Sequence, residues 1–167
     1  LIIIPVVFHI VHNYGAENIS KEQVLDAIRI INEDFRKLNT DTSDIIPEFK
    51  AIAADSRIEF RLAKIDPNGN CTDGIDRVVS TLTYNADENT KMAAPSWDRT
   101  KYLNIWTVAS IASGAAGYSY YPSSVNGSWG EPLDGVLILA NYVGSIGTGQ
   151  YSRARALTHE IGHYLNL

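Results

Sequence analysis

Two histidines spaced four residues apart near the end of the chain are the residues best suited to chemistry. His159 and His163 enclose Glu160 in the sequence His-Glu-Ile-Gly-His, which matches the HExxH pattern. On a helix this spacing places both imidazoles on one face, about 6 Å apart along the axis, where they can reach one metal ion. A catalytic zinc keeps three protein ligands and an open position for water. The pattern therefore predicts a zinc site to which these two histidines contribute.

Glu160 directly follows the first histidine, and its carboxylate is predicted to act as a general base. Zinc lowers the pKa of a bound water toward about 7, so Glu160 can take a proton from that water and pass it to a leaving amine. This chemistry hydrolyses an amide bond. An HExxH match also occurs by chance on exposed helix faces, where its side chains have no special role. Here two of only four histidines in the chain occupy the pattern, which favours the metal site.

The composition indicates a single globular domain. The chain has 167 residues, of which 45% are hydrophobic and 20% are charged, as is usual for one folded domain. A net charge of −5 leaves no basic excess for phosphates, so nucleic acid is not an expected partner. The single cysteine, Cys71, excludes an internal disulfide and a cysteine-only metal site. The apolar start, residues 1–8, is too short for a membrane span and is predicted to be a buried strand.

Hydrophobic periodicity predicts an α+β fold, with a mixed sheet and two helices around the motif. The predicted strands are 1–11, 58–65, 76–83, 102–108 and 135–140, with a short edge strand at about 117–121. One helix begins after Ser20, which is predicted to form a capping box with Gln23. The second helix, from about Ser152 to Leu165, carries the HExxH pattern. The polar stretches 40–56 and 84–96 are expected to be connections.

Five segments, spread over almost the whole chain, carry a resemblance to known proteins: IPVVFHIVH, YLNIWTV, AAGYSYYP, DGVLIL and LTHEIGHYLNL. Taken together, they resemble the pappalysin family of the metzincin zinc peptidases. The resemblance implies an upper subdomain with a mixed, twisted, five-stranded sheet, a backing helix and an active-site helix. It also implies a secreted zinc endopeptidase, extracellular or at the cell surface, that is made with an N-terminal pro-segment and acts on protein or peptide substrates. Calcium as a further cofactor is compatible with the resemblance.

Matched residue by residue, the resemblance assigns His159 and His163 as the first two zinc ligands and Glu160 as the general base. The family's glycine, which turns the chain toward a third histidine, is replaced by Asn166, and the third ligand falls beyond the end of the chain. Asparagine is the next best residue for a left-handed helix end. Residues 1–167 are therefore expected to form one domain, the upper part of a catalytic domain without its lower subdomain, and to be inactive by themselves.

A second group of residues is predicted to bind substrate. The stretch 116–121 mixes small residues and tyrosines next to Pro122, which is typical of an edge strand. By the resemblance, such an edge pairs with an extended peptide through main-chain hydrogen bonds, on the side of the two histidines. An aromatic edge strand packed under a loop is the alternative. We expect the small residues to face the peptide and the tyrosines to pack inward. The predicted substrate-binding residues are Ala116, Gly117, Tyr118, Ser119 and Tyr120.

Two other interpretations stay open at this point. A gluzincin also uses HExxH but takes a glutamate from a later helix as its third ligand. A non-catalytic metzincin-like domain would keep the fold as a binding surface. Glu160 speaks against the second interpretation, because a domain without catalysis has no need of a general base. His9 and His12 are predicted to be hydrogen-bonded strand residues, and not metal ligands.

Overall fold

The computed structural model describes residues 1–167 as one mixed sheet flanked by helices. The strands are β1 (Ile2–His12), β2 (Ile58–Leu62), β3 (Ile75–Val79), β4 (Leu103–Val108), β5 (Gly117–Ser119) and β6 (Val136–Leu139). The α-helices are α1 (Lys21–Phe35), α2 (Pro47–Lys50), α3 (Glu88–Ala93) and α4 (Ala156–Tyr164). None of these helices has the length and apolar character that crossing a lipid bilayer requires.

The long strand β1 organises the sheet. Its first half, from Ile2 to Val6, pairs with β2, and its second half, from Phe8 to His12, pairs with β3. The other edge of β1 pairs with β4, followed by β6 and β5. All pairs are parallel except β5 with β6, which is antiparallel. Because β2 and β3 share one edge of β1 end to end, the six strands fill five positions, and the predicted mixed five-stranded sheet is confirmed.

Side chains from the two faces of the sheet form two separate cores. On one face, Phe8 and Ile105 pack with α1 and with Leu157 and Ile161 of α4. On the other face, a smaller cluster surrounds Trp106 and includes Ala94, just after α3, with Tyr118 of β5 packed against it. The helix α4 and Tyr118 of β5 therefore belong to opposite faces of the sheet.

The structure differs from the predicted elements mainly in short segments. Helix α3 forms where the sequence predicts a polar connection, and it begins with a complete capping box between Asp87 and Thr90. The second predicted helix begins as the 3-10 turn Tyr151–Arg153 and becomes α-helical only at Ala156. The predicted connection 40–56 contains a 3-10 turn and the one-turn helix α2. These elements are short and polar, so hydrophobic periodicity does not reveal them.

Candidate active site

Helix α4 points its two histidines outward and its apolar side chains into the core. Leu157 and Ile161 are fully buried, whereas His159 and His163 are exposed. Full burial of a leucine or isoleucine contributes about 1.5–3 kcal/mol, so these two residues fix the rotation of the helix about its axis. The Nε2 atoms of the two histidines lie 3.0 Å apart, and the ring centroids are 4.4 Å apart. The packing of the helix thus brings two ring nitrogens together at the surface.

The histidine pair fits two ligand positions of a zinc ion. Nitrogens held at about 2.0–2.1 Å from one tetrahedral zinc lie about 3.3 Å from each other. The separation of 3.0 Å between the two Nε2 atoms is close to that value. No group of three or more His, Cys, Asp or Glu side chains lies close enough together to hold a metal ion. The pair therefore matches part of a zinc ligand set.

Glu160 lies half-buried between the histidine pair and strand β5. Burial raises the pKa of the Glu160 carboxyl above its ordinary value, and the neighbouring His159 and His163 act to lower it. The backbone carbonyl of Glu160 accepts a hydrogen bond of 3.0 Å from the hydroxyl of Ser119. A Cβ on Gly117 would lie only 3.1 Å from Cγ of Glu160, so the missing side chain lets the two elements approach. Glu160 is thus enclosed on one side by β5.

Strand β5 is the outer strand of the sheet, and its free edge is available for pairing. Its only partner strand is β6, and the amide of Leu139 donates a hydrogen bond of 2.9 Å to the carbonyl of Ala116. In an antiparallel pair this pattern alternates, so the N–H and C=O groups of Tyr118 point to β6. Those of Gly117 and Ser119 then point away from the sheet. The two small residues present unpaired backbone groups beside Glu160.

The tyrosines of this region lie on the opposite face, away from α4. The hydroxyls of Tyr118 and Tyr120 donate hydrogen bonds of 3.1 and 2.6 Å to the same Oε1 atom of Glu88. The hydrogen bond to Glu88, together with burial, raises the pKa of Tyr120 to about 12. The five predicted substrate-binding residues therefore lie in β5 or directly beside it, with Gly117 and Ser119 on the face of α4 and Tyr118 and Tyr120 on the opposite face.

Gln23 supports the site in a way that the predicted capping box does not describe. The hydroxyl of Ser20 accepts a hydrogen bond from the amide of Gln23, so the first half of the box is present. The second half of the predicted box, a hydrogen bond from the Ser20 amide to the Gln23 side chain, is wrong. The buried side chain of Gln23 donates to the carbonyls of Ala140 and Val143, at 3.0 and 2.9 Å, and accepts from the amide of Thr148 at 3.0 Å. Gln23 therefore holds the loop that leads from β6 to α4.

Two aspartates of α1 hold the same loop and the start of α4. Asp26 accepts hydrogen bonds from the amide and the hydroxyl of Ser145, at 2.6 and 2.8 Å. Asp34 accepts from Arg155, at 2.6 Å, and from the hydroxyl of Thr158, at 2.7 Å. A cavity of about 470 Å³ lies between α1 and the start of α4, and neither histidine of the pair lines it. Nothing in the local sequence marks these aspartates as partners of a helix so distant along the chain.

The two remaining histidines lie in β1, and both make hydrogen bonds. Nε2 of His9 lies 2.9 Å from Oδ1 of Asn104, and the His9 ring stacks on Trp106 with centroids 5.1 Å apart. Nδ1 of His12 accepts a hydrogen bond from the amide of Tyr14 at 3.2 Å. Both side chains are buried. The prediction of hydrogen-bonded strand histidines is confirmed.

Comparison with known proteins shows that this chain is similar to metallopeptidases. The model of a peptidase family described as Pregnancy-associated plasma protein-A matches residues 85–167, which include α3, β4, β5, β6 and α4. A protein named Extracellular metalloprotease from Verticillium alfalfae is 28% identical over 98% of this chain and 50% of its own length. A second one of that name, from Arthroderma gypseum, is 24% identical over 96% of this chain and 45% of its own length. This chain spans about half the length of these relatives.

Solved structures agree with the family match. Mature mirolysin of Tannerella forsythia, in complex with a cleaved peptide, is 35% identical with a TM-score of 0.88, over 99% of this chain and 63% of mirolysin. A promirolysin mutant of the same organism is 34% identical with a TM-score of 0.88, over 99% of this chain and 56% of its own. By its motifs, its fold and these likenesses, the chain belongs to the pappalysin family of metzincin metallopeptidases.

Proposed function

We propose that residues 1–167 are the upper subdomain of a secreted zinc endopeptidase. In this proposal His159 and His163 are zinc ligands, Glu160 is the general base, and a third ligand and the lower subdomain lie outside this stretch of chain. The observation that carries the proposal is the position of the two exposed Nε2 atoms, 3.0 Å apart, on the same helix as a half-buried carboxylate. Family membership supports the same chemistry.

Glu160 has the environment that a general base for amide hydrolysis needs. When zinc is bound, it supplies Lewis acidity, which polarises a carbonyl and lowers the pKa of water toward about 7. Glu160 takes a proton from the attacking water, and burial, by raising the pKa of its carboxyl, helps it to hold that proton. It then gives the proton to the nitrogen of the scissile bond, which leaves as an amine.

Strand β5 is proposed to hold the substrate as an additional strand. An extended peptide can pair with the outward N–H and C=O groups of Gly117 and Ser119, which gives affinity without a required sequence. Ser119 is hydrogen-bonded to Glu160, and Gly117 leaves room for the Glu160 side chain, so a peptide paired with these two residues runs past the base. Ala116, Tyr118 and Tyr120 complete this substrate-binding segment by fixing the strand against β6 and the opposite face of the sheet.

Export of the protein and a precursor form belong to the same proposal. The relatives quoted above are named extracellular metalloproteases, which supports secretion. One solved relative is described as promirolysin, which supports synthesis with an N-terminal pro-segment. Calcium rests on the family resemblance alone.

The test is the metal content and peptidase activity of the full-length protein. We expect about one zinc ion per chain by elemental analysis and cleavage of internal peptide bonds in an unfolded protein substrate. A zinc chelator should remove both, and added zinc should restore both. Full-length protein that contains no stoichiometric zinc, or that cleaves equally well after chelation, would contradict the proposal.

A further inference from the structure

A fully buried lysine lies directly beneath the tyrosines of the substrate-binding segment. Lys91 of α3 has no solvent exposure, and no carboxylate oxygen lies within 4.0 Å of its ammonium group. Its Nζ atom donates one hydrogen bond, of 2.8 Å, to the carbonyl of Leu133. Three aromatic rings surround it, with centroids 5.1 Å away for Trp106, 5.0 Å for Tyr118 and 5.1 Å for Tyr120. The ammonium group is thus enclosed mainly by ring faces.

Glu88, three residues before Lys91 on α3, contacts the same two tyrosines from their other end. Its Oε1 atom accepts hydrogen bonds from the hydroxyls of both Tyr118 and Tyr120. The cation of Lys91 is attracted to the ring faces, and the carboxylate of Glu88 binds the hydroxyls. One short helix therefore holds both tyrosines at two points each.

Burial of the Lys91 ammonium group destabilises the folded protein. Burial lowers the pKa of Lys91 to about 8, because a buried ammonium group loses its hydration. Cation–π contacts with the three rings recover only part of that loss. Lysine is among the residues least often found fully buried, and an apolar side chain would fill such a space without the penalty. Features that cost stability in this way are concentrated at functional sites.

Strand β5 needs support from outside the sheet. It contains only the residues Gly117–Ser119 and has one partner strand, so few hydrogen bonds hold it. Short edge strands open easily, and a peptide that pairs with a mobile strand must also order it, which weakens binding. A strand that is held rigid before the peptide arrives binds it more tightly.

We propose that Glu88 is a positioning residue for substrate, which holds the hydroxyls of Tyr118 and Tyr120 so that the outer backbone of Gly117 and Ser119 is ready to pair with a peptide. The inference rests on the proposed function only for its kinetic part. The structural part, that α3 makes β5 rigid, holds whether or not the protein is a peptidase.

The experiment uses the full-length protein and four variants. Glu88→Ala removes the acceptor, Glu88→Gln keeps an oxygen that can accept the same hydrogen bonds, and a double variant with Tyr118→Phe and Tyr120→Phe removes only the hydroxyls. Arg36→Ala is the control, because Arg36 makes an ion pair with Asp55 just before β2, at the opposite edge of the sheet. Amide hydrogen exchange of residues 116–120 is measured without substrate, and KM and kcat are measured with a long peptide.

For Glu88→Ala and for the double variant we expect exchange in β5 to become faster by on the order of tenfold. We expect KM for the long peptide to rise by about fivefold, the factor that corresponds to one hydrogen bond, with kcat nearly unchanged. Glu88→Gln should restore most of both values, and Arg36→Ala should change neither. If Glu88→Ala does not fold, the double variant decides alone.

Two results would overturn the inference. One is unchanged exchange in β5 in the variants that lack the hydrogen bonds. The other is a loss of kcat at constant KM, which indicates a smaller folded fraction and hence only a structural role for Glu88. If the wild-type protein hydrolyses no peptide, the proposed function fails, while the exchange data still test whether α3 holds β5.

Discussion

The hydroxyl of Ser119 donates a hydrogen bond of 3.0 Å to the backbone carbonyl of Glu160, so the outer strand of the sheet is tied to the helix at the proposed base. Gly117, two residues earlier on the same face, leaves room for the Glu160 side chain. These contacts at Glu160 therefore fix the position of α4 relative to β5. A change in the backbone position of β5 is therefore expected to displace the Glu160 carboxylate.

Gly117→Ala and Gly162→Ala form a matched pair of glycine substitutions. A Cβ on Gly117 would lie 3.1 Å from Cγ of Glu160 and from the carbonyl oxygen of Leu137, which requires one of them to move. We expect kcat to fall by about tenfold, because small displacements of a catalytic group are costly. On helix α4, a Cβ on Gly162 meets nothing within 4 Å, so Gly162→Ala should stabilise the protein by about 0.5–1 kcal/mol. Kinetics and thermal unfolding of both variants test this. Equal kcat values in Gly117→Ala and wild type would contradict it.

Glu160→Gln in the full-length protein should separate metal binding from catalysis. The amide has nearly the same shape as the carboxylate but cannot take a proton from water, so turnover should fall by about 10²-fold or more. Zinc content and thermal stability should stay close to wild type, since the metal ligands are unchanged. Turnover near the wild-type rate would remove Glu160 from its assigned role.

His163→Ala should remove zinc, while His9→Ala should leave it bound. Replacing His163 removes one of the proposed zinc ligands, and a site that lacks one ligand binds zinc far more weakly. His9 lies buried in β1 against Asn104 and Trp106, so its replacement should lower stability and leave the zinc content of the folded fraction unchanged. Elemental analysis of the two purified variants distinguishes these effects. Zinc retained in His163→Ala at full stoichiometry would show that the pair is not the site.

The strands β1, β4 and β6 and the helix α4 could be predicted because each carries its own local pattern of apolar residues. Helix α3 could not be predicted in this way. Its sequence, residues 88–93, has no apolar stripe, and the residues that it buries are Thr90 and Lys91, two types that sequence rules place at the surface. The environment of Lys91 is assembled from Trp106 and two tyrosines that lie later in the chain, so no local pattern can indicate it.

Part of the candidate site could likewise be predicted from the sequence, and part could not. The spacing of His159 and His163 is a property of one helix, so the sequence alone predicts that they share a face. The contacts that hold this helix in place come from Gln23, Asp26 and Asp34 on α1, more than a hundred residues earlier in the chain. The sequence around Gln23 predicts only a local role as a capping residue. Its hydrogen bonds to the loop before α4 cannot be predicted from that local pattern.

Lys91→Met should change how stability depends on pH. The pKa of Lys91 is about 8 in the folded protein and 10.5 is its ordinary value, so between these values the unfolded chain binds a proton that the folded protein has lost. Stability that depends on this group therefore rises as pH increases through this window. The free energy of unfolding of wild type relative to Lys91→Met should increase by on the order of 3 kcal/mol from pH 8 to above 10. Urea unfolding at several pH values measures it, with Lys50→Met as an exposed control. A difference that does not vary with pH would contradict the prediction.

The end of α4 gives a test of backbone geometry. Asn166 has φ of 62°, in the left-handed region that the sequence predicts for this position, and its amide donates to the carbonyl of His163 at 3.0 Å. Asn166→Gly should change stability by only a few tenths of a kcal/mol, because glycine adopts this conformation freely. Asn166→Val should destabilise by about 1–2 kcal/mol, since a β-branched residue is strained there. Thermal unfolding of the two variants should separate them clearly, and equal stabilities would contradict the assignment.

The position of β1, first along the chain and central in the sheet, has a consequence for how the protein is made. Val6 pairs with Leu103, so the middle of the sheet cannot close until the greater part of the chain has been synthesised. Contacts so distant in sequence slow folding, and the apolar β1 stays uncovered on the nascent chain during that time. Strand β5 can pair only after β6 has been made, and helix α4 follows both in the chain and packs on strands that must already be in place. We therefore expect an incompletely folded chain to have no assembled site, so that the proposed peptidase activity appears only after the sheet has formed.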